Sequence, residues 1–207
     1  MTEEGTAGGL DAAALPLGAD TNPTRLRILL AGLRLFGSHG YHGTTIRDIA
    51  AAGGMQSASL YSHFASKEAI LAELVFIGHD AHHQILLTAL LDAEPGPREQ
   101  LRSLIAAHAS SHCRYPDLAI VSNYERHHLS ADAYAPASAL RERSTQLLVE
   151  IVVRGREQGV FDIFDETTTL GALGALGLSA VQWHGQLSPD DVGAAYAELA
   201  LRMVGGA

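Results

Sequence analysis

One segment of the chain carries polar residues at a spacing suited to contacts with nucleic acid. Residues 44–64 contain two short helical stretches separated by Gly53-Gly54, which is the arrangement of a helix-turn-helix. The second stretch presents hydroxyl and amide groups, which donate to or accept from base edges and phosphates. Lys67 follows in the first turn of the next helix, where free backbone amides also favour an anion. The alternative is a compact three-helix unit whose polar face is only solvated.

The chain also carries eleven histidines, several at helical spacing. An i, i+4 histidine pair can chelate zinc or nickel. The two groups at such spacing are His79/His82/His83 and His108/His112. No pair of carboxylates completes an obvious site beside them, so we predict no metal site. A metal-sensing regulator or metal-binding protein that uses these two groups remains the alternative function.

The sequence contains no recognisable catalytic arrangement. Cys113 is adjacent to His112, but a thiol nucleophile needs a base in spatial contact and an oxyanion site. We find no nucleophile elbow and no glycine loop that would cradle phosphates. We therefore predict a protein that is not an enzyme and has no cofactor.

Composition and charge favour a soluble protein with a small basic module. The 207 residues carry a net charge of −9, which argues against a uniformly basic nucleic-acid coat. Residues 24–72 hold five basic and two acidic residues, whereas residues 73–207 hold nine basic and seventeen acidic ones, so the first segment is the part drawn to phosphates. The single cysteine excludes an intramolecular disulfide, and no secretory signal or membrane span is apparent. We expect a cytoplasmic protein without membrane contact.

Apolar periodicity predicts an all-α protein of about nine helices. Residues 1–23 are predicted to be a disordered arm, residues 24–72 a helix-turn-helix domain, and residues 73–207 a helical bundle for ligand binding and dimerisation. The helices are predicted at about 24–38, after Thr45, 56–64, 67 to before 94, 97–114, 117–130, from Pro136 to Gly159, from Asp165 or Thr167 to 183–185, and from Ser188 onward.

The stretch FGSHGYHGTTIRDIAAAGGMQSASLYSHFASKEAIL resembles the DNA-binding domain of the TetR family of bacterial transcriptional regulators. The resemblance implies a homodimer that binds a near-palindromic double-stranded operator, usually as a repressor released by a small molecule. Gln56 stands where the family most often has a Ser or Thr cap, so the third helix is expected to start less firmly. Carried over by position and pattern, the residues expected to contact DNA are Thr45, Arg47, Gln56, Ser57, Ser59, Tyr61, His63 and Lys67.

The eighth predicted helix is rich in small residues. Each glycine in a helix costs on the order of 1 kcal/mol relative to alanine, so a tertiary contact must offset that cost. One interpretation is packing within the protomer. The resemblance favours a dimer face instead, because the family's dimers commonly form a four-helix bundle from the last two helices. The residues predicted for that face are Gly171, Gly174, Gly177, Val181, Val192, Tyr196, Leu199 and Met203.

A ligand pocket is expected among the middle sections of the fourth to eighth helices. Parts of residues 108–125 and 141–161 are similar to a subgroup of the family that senses acyl-CoA thioesters, which implies an acyl-CoA or another apolar effector. A cationic drug is the rival ligand class, since the acidic body would attract it. The residues predicted to line the pocket are Phe76, His79, His83, His112, Tyr124, His128, Leu147, Ile151 and Trp183.

Overall fold

The structure, a computed structural model, describes residues 11–16, 22–183 and 187–205. Within these residues it contains nine α-helices and no β-strand, so the all-α prediction is confirmed. The helices are α1 Pro23–His39, α2 Ile46–Ala52, α3 Ser57–Tyr61, α4 Lys67–Leu91, α5 Pro97–Arg114, α6 Pro116–Ile120, α7 Ala131–Glu157, α8 Glu166–Ala180 and α9 Pro189–Met203.

Helices α1 to α3 form a small N-terminal domain. Asn22 caps α1 by accepting from the first free backbone amides, and Pro23 fills the first helical position, where no N–H is needed. Gly54, with φ +66°, supplies the left-handed residue in the turn between α2 and α3. Fully buried Ile49 and Leu60 hold the two short helices against the core. The exposed side of α3 is thereby fixed in place.

Part of the predicted disordered arm is ordered. Residues Ala12–Ala14 form a turn of 3-10 helix, and Leu15 is only 3% exposed in the same core as α1. This corrects the prediction for residues 11–16, because an apolar side chain anchors them. Residues 1–10 and 17–21 lie outside the described residues.

The C-terminal body is a bundle of the remaining helices. Its core includes Leu101, Val152 and Leu173 from three different helices. Helices α5 and α9 lie very close, since a Cβ on Gly193 would be 2.6 Å from the Ala106 carbonyl oxygen. The core of the N-terminal domain also contains Leu118, so the two domains share buried contacts. Within the described residues, no helix combines the length and apolarity needed to cross a membrane.

The predicted helix over 117–130 is wrong in its second half. Helix α6 ends at Ile120, and a π-helical turn over Val121–Glu125 and a 3-10 turn over Arg126–His128 follow it. The Asn123 side chain donates to the Ala119 carbonyl oxygen at 2.9 Å, and the Ser122 hydroxyl donates to the Leu118 carbonyl oxygen. Such side-chain bonds compete with the regular helical ladder.

Three further helix boundaries differ from the predictions. Helix α3 ends at Tyr61 rather than at residue 64. Helix α7 begins at Ala131 rather than at Pro136, because the Ser130 hydroxyl caps it by accepting from the Ala133 amide. Pro136 therefore lies inside the helix, where it contributes no N–H to the ladder. Helix α8 ends at Ala180, a 3-10 turn covers Val181–Trp183, and residues 184–186 lie outside the described residues.

Candidate functional site

The exposed side of α2 and α3 brings several predicted DNA-contacting residues together. Thr45, Arg47, Ser57 and Tyr61 border one surface recess, which Ile46 completes and which we call the α2–α3 recess. The Tyr61 side chain is 54% exposed, although the large apolar residues around it are buried. Such a ring is available to stack or to donate its hydroxyl to a phosphate.

Three other predicted DNA contacts lie on or beside the same helix. Gln56 and Ser59 are exposed, and His63 is half-buried just beyond the end of α3. Gln56 occupies the N-cap position of α3 but makes no side-chain capping bond. The side-chain amide of Gln56 is therefore not used to cap α3.

Thr45 also forms the capping box of α2 with Asp48, as their three-residue spacing in the sequence predicts. Its hydroxyl accepts from the Asp48 amide at 3.2 Å and donates to the Asp48 carboxylate at 2.6 Å. Its backbone N–H donates to the same carboxylate at 2.8 Å. These bonds hold the pKa of Asp48 below its usual range. Thr45 thus borders the recess, and both of its donors are engaged in capping α2.

Lys67 is also engaged within the protein. Its Nζ donates to the carbonyl oxygens of Tyr41 and Thr44, each at 2.7 Å, and lies 4.0 Å from the centre of the Tyr41 ring. Burial lowers the pKa of the ammonium group. Lys67 therefore ties the start of α4 to the loop before α2, and one of its three N–H donors is left for a phosphate.

The N-terminal domain is bonded to the π-helical turn of the body. The Tyr41 backbone N–H donates to the Glu125 carboxylate at 2.8 Å, and His128 stacks on the Tyr41 ring with centroids 5.3 Å apart. Beside them, the Ser130 backbone N–H donates to the Glu68 carboxylate at 2.8 Å and lowers the pKa of that group. We call the Tyr41, Glu125 and His128 contacts the domain junction.

The body contains a cavity of about 510 Å³, open to solvent on one side, between α4, α5, α7, α8 and the segment from α6 to the π-helical turn. Most of its wall is apolar, which is typical of small-molecule sites. Its apolar and polar lining residues include Ile85, Leu104, Leu118, Leu148, Leu178, His79, His82, His108, His112, Ser122, Asn123 and Arg141. No aspartate or glutamate is among the described residues that line it.

The pocket prediction was partly wrong. His79 and His112 line the cavity, as predicted. The other predictions assumed that a mid-helix position suffices, but the face of each helix decides where a side chain points. The side chain of Trp183 lies outside the described residues.

The misplaced pocket residues fall into three groups, none of which lines the cavity. Phe76 and Tyr124 are exposed, at 41% and 52%. Ile151 is buried and Leu147 partly buried in the apolar core of the body. His128 belongs to the domain junction, and the Nδ1 of His83 lies 3.0 Å from the Ser144 hydroxyl.

Polar groups that were not predicted as pocket residues lie in the same wall. Ser122 and Asn123 line the cavity, and no motif in the sequence marks them. Arg141, one of the arginines that the similarity to acyl-CoA sensors marks as able to meet coenzyme A phosphates, lines it too. Buried His79 has an Nε2 atom without a hydrogen-bond partner among the described residues. Burial lowers the pKa of His79 to about 4, helped by the positive charges of Arg141 and Arg126.

The histidines that the sequence spacing groups together are arranged differently in the structure. His82, His108 and His112 converge on one point, whereas His79 and His83 do not join them. Burial lowers the pKa of His112 to about 3, and burial also lowers the pKa values of His82 and His108. All three rings are therefore neutral at physiological pH.

The predicted dimer residues divide between the protomer's interior and its surface. Gly177, Val181 and Val192 are buried within the protomer, and a Cβ on Gly177 would overlap the His108 ring. Their prediction as dimer contacts is corrected to packing within the protomer. Gly171 and Gly174 border the cavity, and Tyr196 is half-buried with its hydroxyl 3.1 Å from the Ser179 hydroxyl. Leu199 and Met203 are exposed on α9.

An N-terminal helix-turn-helix with an exposed second helix, joined to an α-helical body, defines a DNA-binding transcription regulator. Residues 28–74 match the family described as bacterial regulatory proteins, tetR family, and residues 94–204 match the tetracyclin repressor-like, C-terminal domain. The chain therefore belongs to the TetR family, and the resemblance noted in the sequence is confirmed. Homodimers are typical of this family.

Individual relatives are regulators. The HTH-type transcriptional repressor KstR2 of Rhodococcus jostii (strain RHA1) is 27% identical over 186 residues, which cover 86% of this chain and 89% of the relative. The crystal structure of a tetR-family regulatory protein from Rhodococcus RHA1 matches with a TM-score of 0.83 and 30% identity, covering 90% of this chain and all of that one. AibR in complex with isovaleryl coenzyme A and operator DNA shares the fold, with a TM-score of 0.75 and 24% identity, covering 85% of this chain and 97% of AibR.

Proposed function

We propose that this protein is a homodimeric repressor that leaves a near-palindromic operator when an acyl-CoA-type ligand enters the cavity of the body. The observation that carries the proposal is the position of the π-helical turn. Ser122 and Asn123 line the cavity, and Glu125 in the same turn holds the Tyr41 amide of the N-terminal domain. A ligand that displaces this turn therefore acts directly on the domain junction.

The chemistry of the cavity favours an anionic ligand with an apolar part. Most of the wall is apolar, with leucine the most frequent lining residue, which suits an acyl chain. Arg141 is exposed at its edge and is the one arginine among the described lining residues, so it is placed to meet a phosphate or carboxylate. A cationic drug finds no carboxylate among these residues, which disfavours the rival class. AibR, whose structure holds isovaleryl coenzyme A, has the same fold.

A dimer would place two α3 helices on successive turns of one DNA face. Two recognition helices bind half-sites about 34 Å apart, so a small change in domain tilt is enough to lose affinity. The exposed Leu199 and Met203, four residues apart on α9, offer an apolar stripe for the partner protomer. The proposed dimer face is accordingly centred on α9 rather than on the glycines of α8.

The effector class is tested by thermal-shift and calorimetric titration of the purified protein. The ligands are acyl-CoA thioesters of graded chain length, free coenzyme A, the matching free acids and a cationic dye. We expect one thioester range to bind, and Arg141→Met to weaken that binding while Arg143→Met, an exposed charge on the same helix, does not. Binding of the cationic dye alone would overturn the proposed ligand class.

A further inference from the structure

Three histidine rings meet in the wall of the cavity. His82 comes from α4, and His108 and His112 lie one turn apart on α5. The ring centroids form a nearly equilateral triangle with sides of 4.9, 4.9 and 5.0 Å. One ring nitrogen of each residue lies within 4.8 Å of the other two. We call this group the histidine triad. It combines His82 of the His79/His82/His83 group with both members of the His108/His112 group.

Hydrogen bonds on the outer side of each ring assign the ring protons. The His108 Nε2 lies 3.0 Å from the Gly174 carbonyl oxygen, and the His112 Nδ1 lies 2.7 Å from the His108 carbonyl oxygen. Because a carbonyl oxygen only accepts, both nitrogens carry the proton. The Ser111 hydroxyl donates to the His108 carbonyl oxygen at 2.9 Å, so it accepts from the His82 Nδ1 at 3.0 Å.

The inner nitrogens are then unprotonated lone-pair donors. In a neutral imidazole one nitrogen is a donor and the other an acceptor, which leaves Nε2 of His82, Nδ1 of His108 and Nε2 of His112 without a proton. The first two of these atoms are 3.0 Å apart and face each other. Two lone pairs at this distance repel unless a cation lies between them. Nitrogens bound to a tetrahedral zinc ion at 2.0–2.1 Å are about 3.3 Å apart, which is close to the spacing observed.

We propose that His82, His108 and His112 bind one divalent transition-metal ion of the Zn²⁺ class in the wall of the cavity. Neutral imidazole is a ligand that such ions prefer, and three histidines with an open fourth position form a known type of zinc site. Since all three residues line the cavity, the fourth position faces it and is accessible to water or to an anionic group of a ligand. This site rests on the triad geometry and does not depend on the proposed effector.

The groups that accept hydrogen bonds from the outer ring nitrogens would hold the three rings in position for a metal ion. Metal-bound histidines usually donate their other N–H to a carbonyl, carboxylate or hydroxyl group, which fixes the ring. Each ring of the triad has such a partner: Ser111, Gly174 or the His108 carbonyl. The absence of a side chain at Gly177 lets the His108 ring lie directly against α8 and reach the Gly174 carbonyl. Gly177 therefore serves the triad.

The test uses untagged full-length protein that has been treated with a chelator and dialysed. We expect it to take up one Zn²⁺ per protomer by elemental analysis, and to give an intense tetrahedral visible spectrum with Co²⁺. His82→Gln and His112→Gln should each lower the Zn²⁺ affinity by at least about a hundredfold, and Ser111→Ala by about tenfold. His127→Gln, an exposed histidine outside the cavity, should leave affinity and spectrum unchanged.

Circular dichroism and unfolding of each metal-free variant separate a lost ligand from a lost fold. The proposal is overturned if wild-type protein holds less than about a tenth of a zinc ion per protomer after desalting, a stoichiometry at which no specific site exists. It is also overturned if the wild-type Co²⁺ spectrum stays weak and octahedral. In either case the Nε2 of His82 carries a proton and donates to His108, with Ser111 donating to the other side of the ring. DNA binding and thioester binding are measured separately, so failure of the metal site leaves the proposed function intact.

Discussion

Replacing Lys67, the chain's only lysine, by methionine tests how the recognition helix is held. The ammonium group donates to two loop carbonyls, those of Tyr41 and Thr44. A hydrogen bond that involves a charged group contributes about 1.5–3 kcal/mol, and we take the low end because Lys67 is half-buried. Lys67→Met, which removes two such bonds, should therefore lower the free energy of unfolding by at least about 1.5 kcal/mol. If its third N–H contacts a phosphate, the slope of log affinity against log salt should also fall by about 1 per protomer.

Urea unfolding measures the first effect, and fluorescence anisotropy on operator DNA over a salt series measures the second. Arg143→Met is the matched control, because it removes one positive charge from an exposed position on α7. A Lys67→Met stability within about 0.5 kcal/mol of wild type, the usual range for a plain surface substitution, would refute the loop-bracing role. An unchanged salt slope would refute the phosphate contact.

Three further predictions concern packing, base recognition and pH. Gly155→Ala should destabilise the body by about 1–3 kcal/mol in urea unfolding, because the new Cβ would overlap the Phe161 ring. Gln56→Ala should change the preferred operator sequence in a binding selection while the unfolding curve stays the same, because Gln56 makes no capping bond. The pKa of Asp48 is lowered in the folded state by its bonds to Thr45, so this carboxylate stabilises the fold above its ordinary pKa and that contribution is lost as pH falls through the lowered value. Between about pH 5 and pH 3, the free energy of unfolding should therefore fall less in Thr45→Ala than in wild type.

Each of these has its control. Gly37→Ala places a Cβ at ordinary contact distance, 3.9 Å, from Asp117 in a helical position, so it should be neutral or slightly stabilising. Tyr61→Ala should weaken binding to all DNA sequences, in contrast to Gln56→Ala. Asp48→Asn removes the titrating group itself, and a pH profile identical to wild type would contradict the capping argument.

The sequence predicted the helix-turn-helix well because its signals are local. Thr45 and Asp48 stand three residues apart at the start of α2, and Gly54 stands where a positive φ is needed, so capping and turn chemistry place the helices. The caps Ser66 and Ser188 fix α4 and α9 in the same way. These features involve neighbours in the chain and need no tertiary information.

The cavity could not be predicted in detail because it depends on which face of each helix turns inward. His79 and His112 were predicted to line it, but Ile151 and Leu147 face the core, and Tyr124 faces solvent. The π-helical turn changes the helical register over Val121–Glu125, where the Asn123 side chain bonds to the Ala119 carbonyl oxygen and competes with the regular helical ladder.

The histidine triad shows the same limit. His82 and His108 are 26 positions apart in the sequence, and only the packing of α4 on α5 brings them together. Spacing within α5 placed His108 and His112 together, but spacing within α4 grouped His82 with His79 and His83, which do not join the triad.

We propose that ligand binding in the cavity controls the affinity of the α2–α3 recess and the helices around it for DNA. The most direct test is fluorescence anisotropy of the purified protein on DNA from upstream of its own gene, at two salt concentrations, with and without the acyl-CoA panel. The account predicts tight, salt-sensitive binding that one range of thioesters abolishes in wild type, and weakened release in Glu125→Ala, which lacks the domain junction bond to Tyr41. Salt-sensitive binding that every ligand of the cavity leaves unchanged would contradict it.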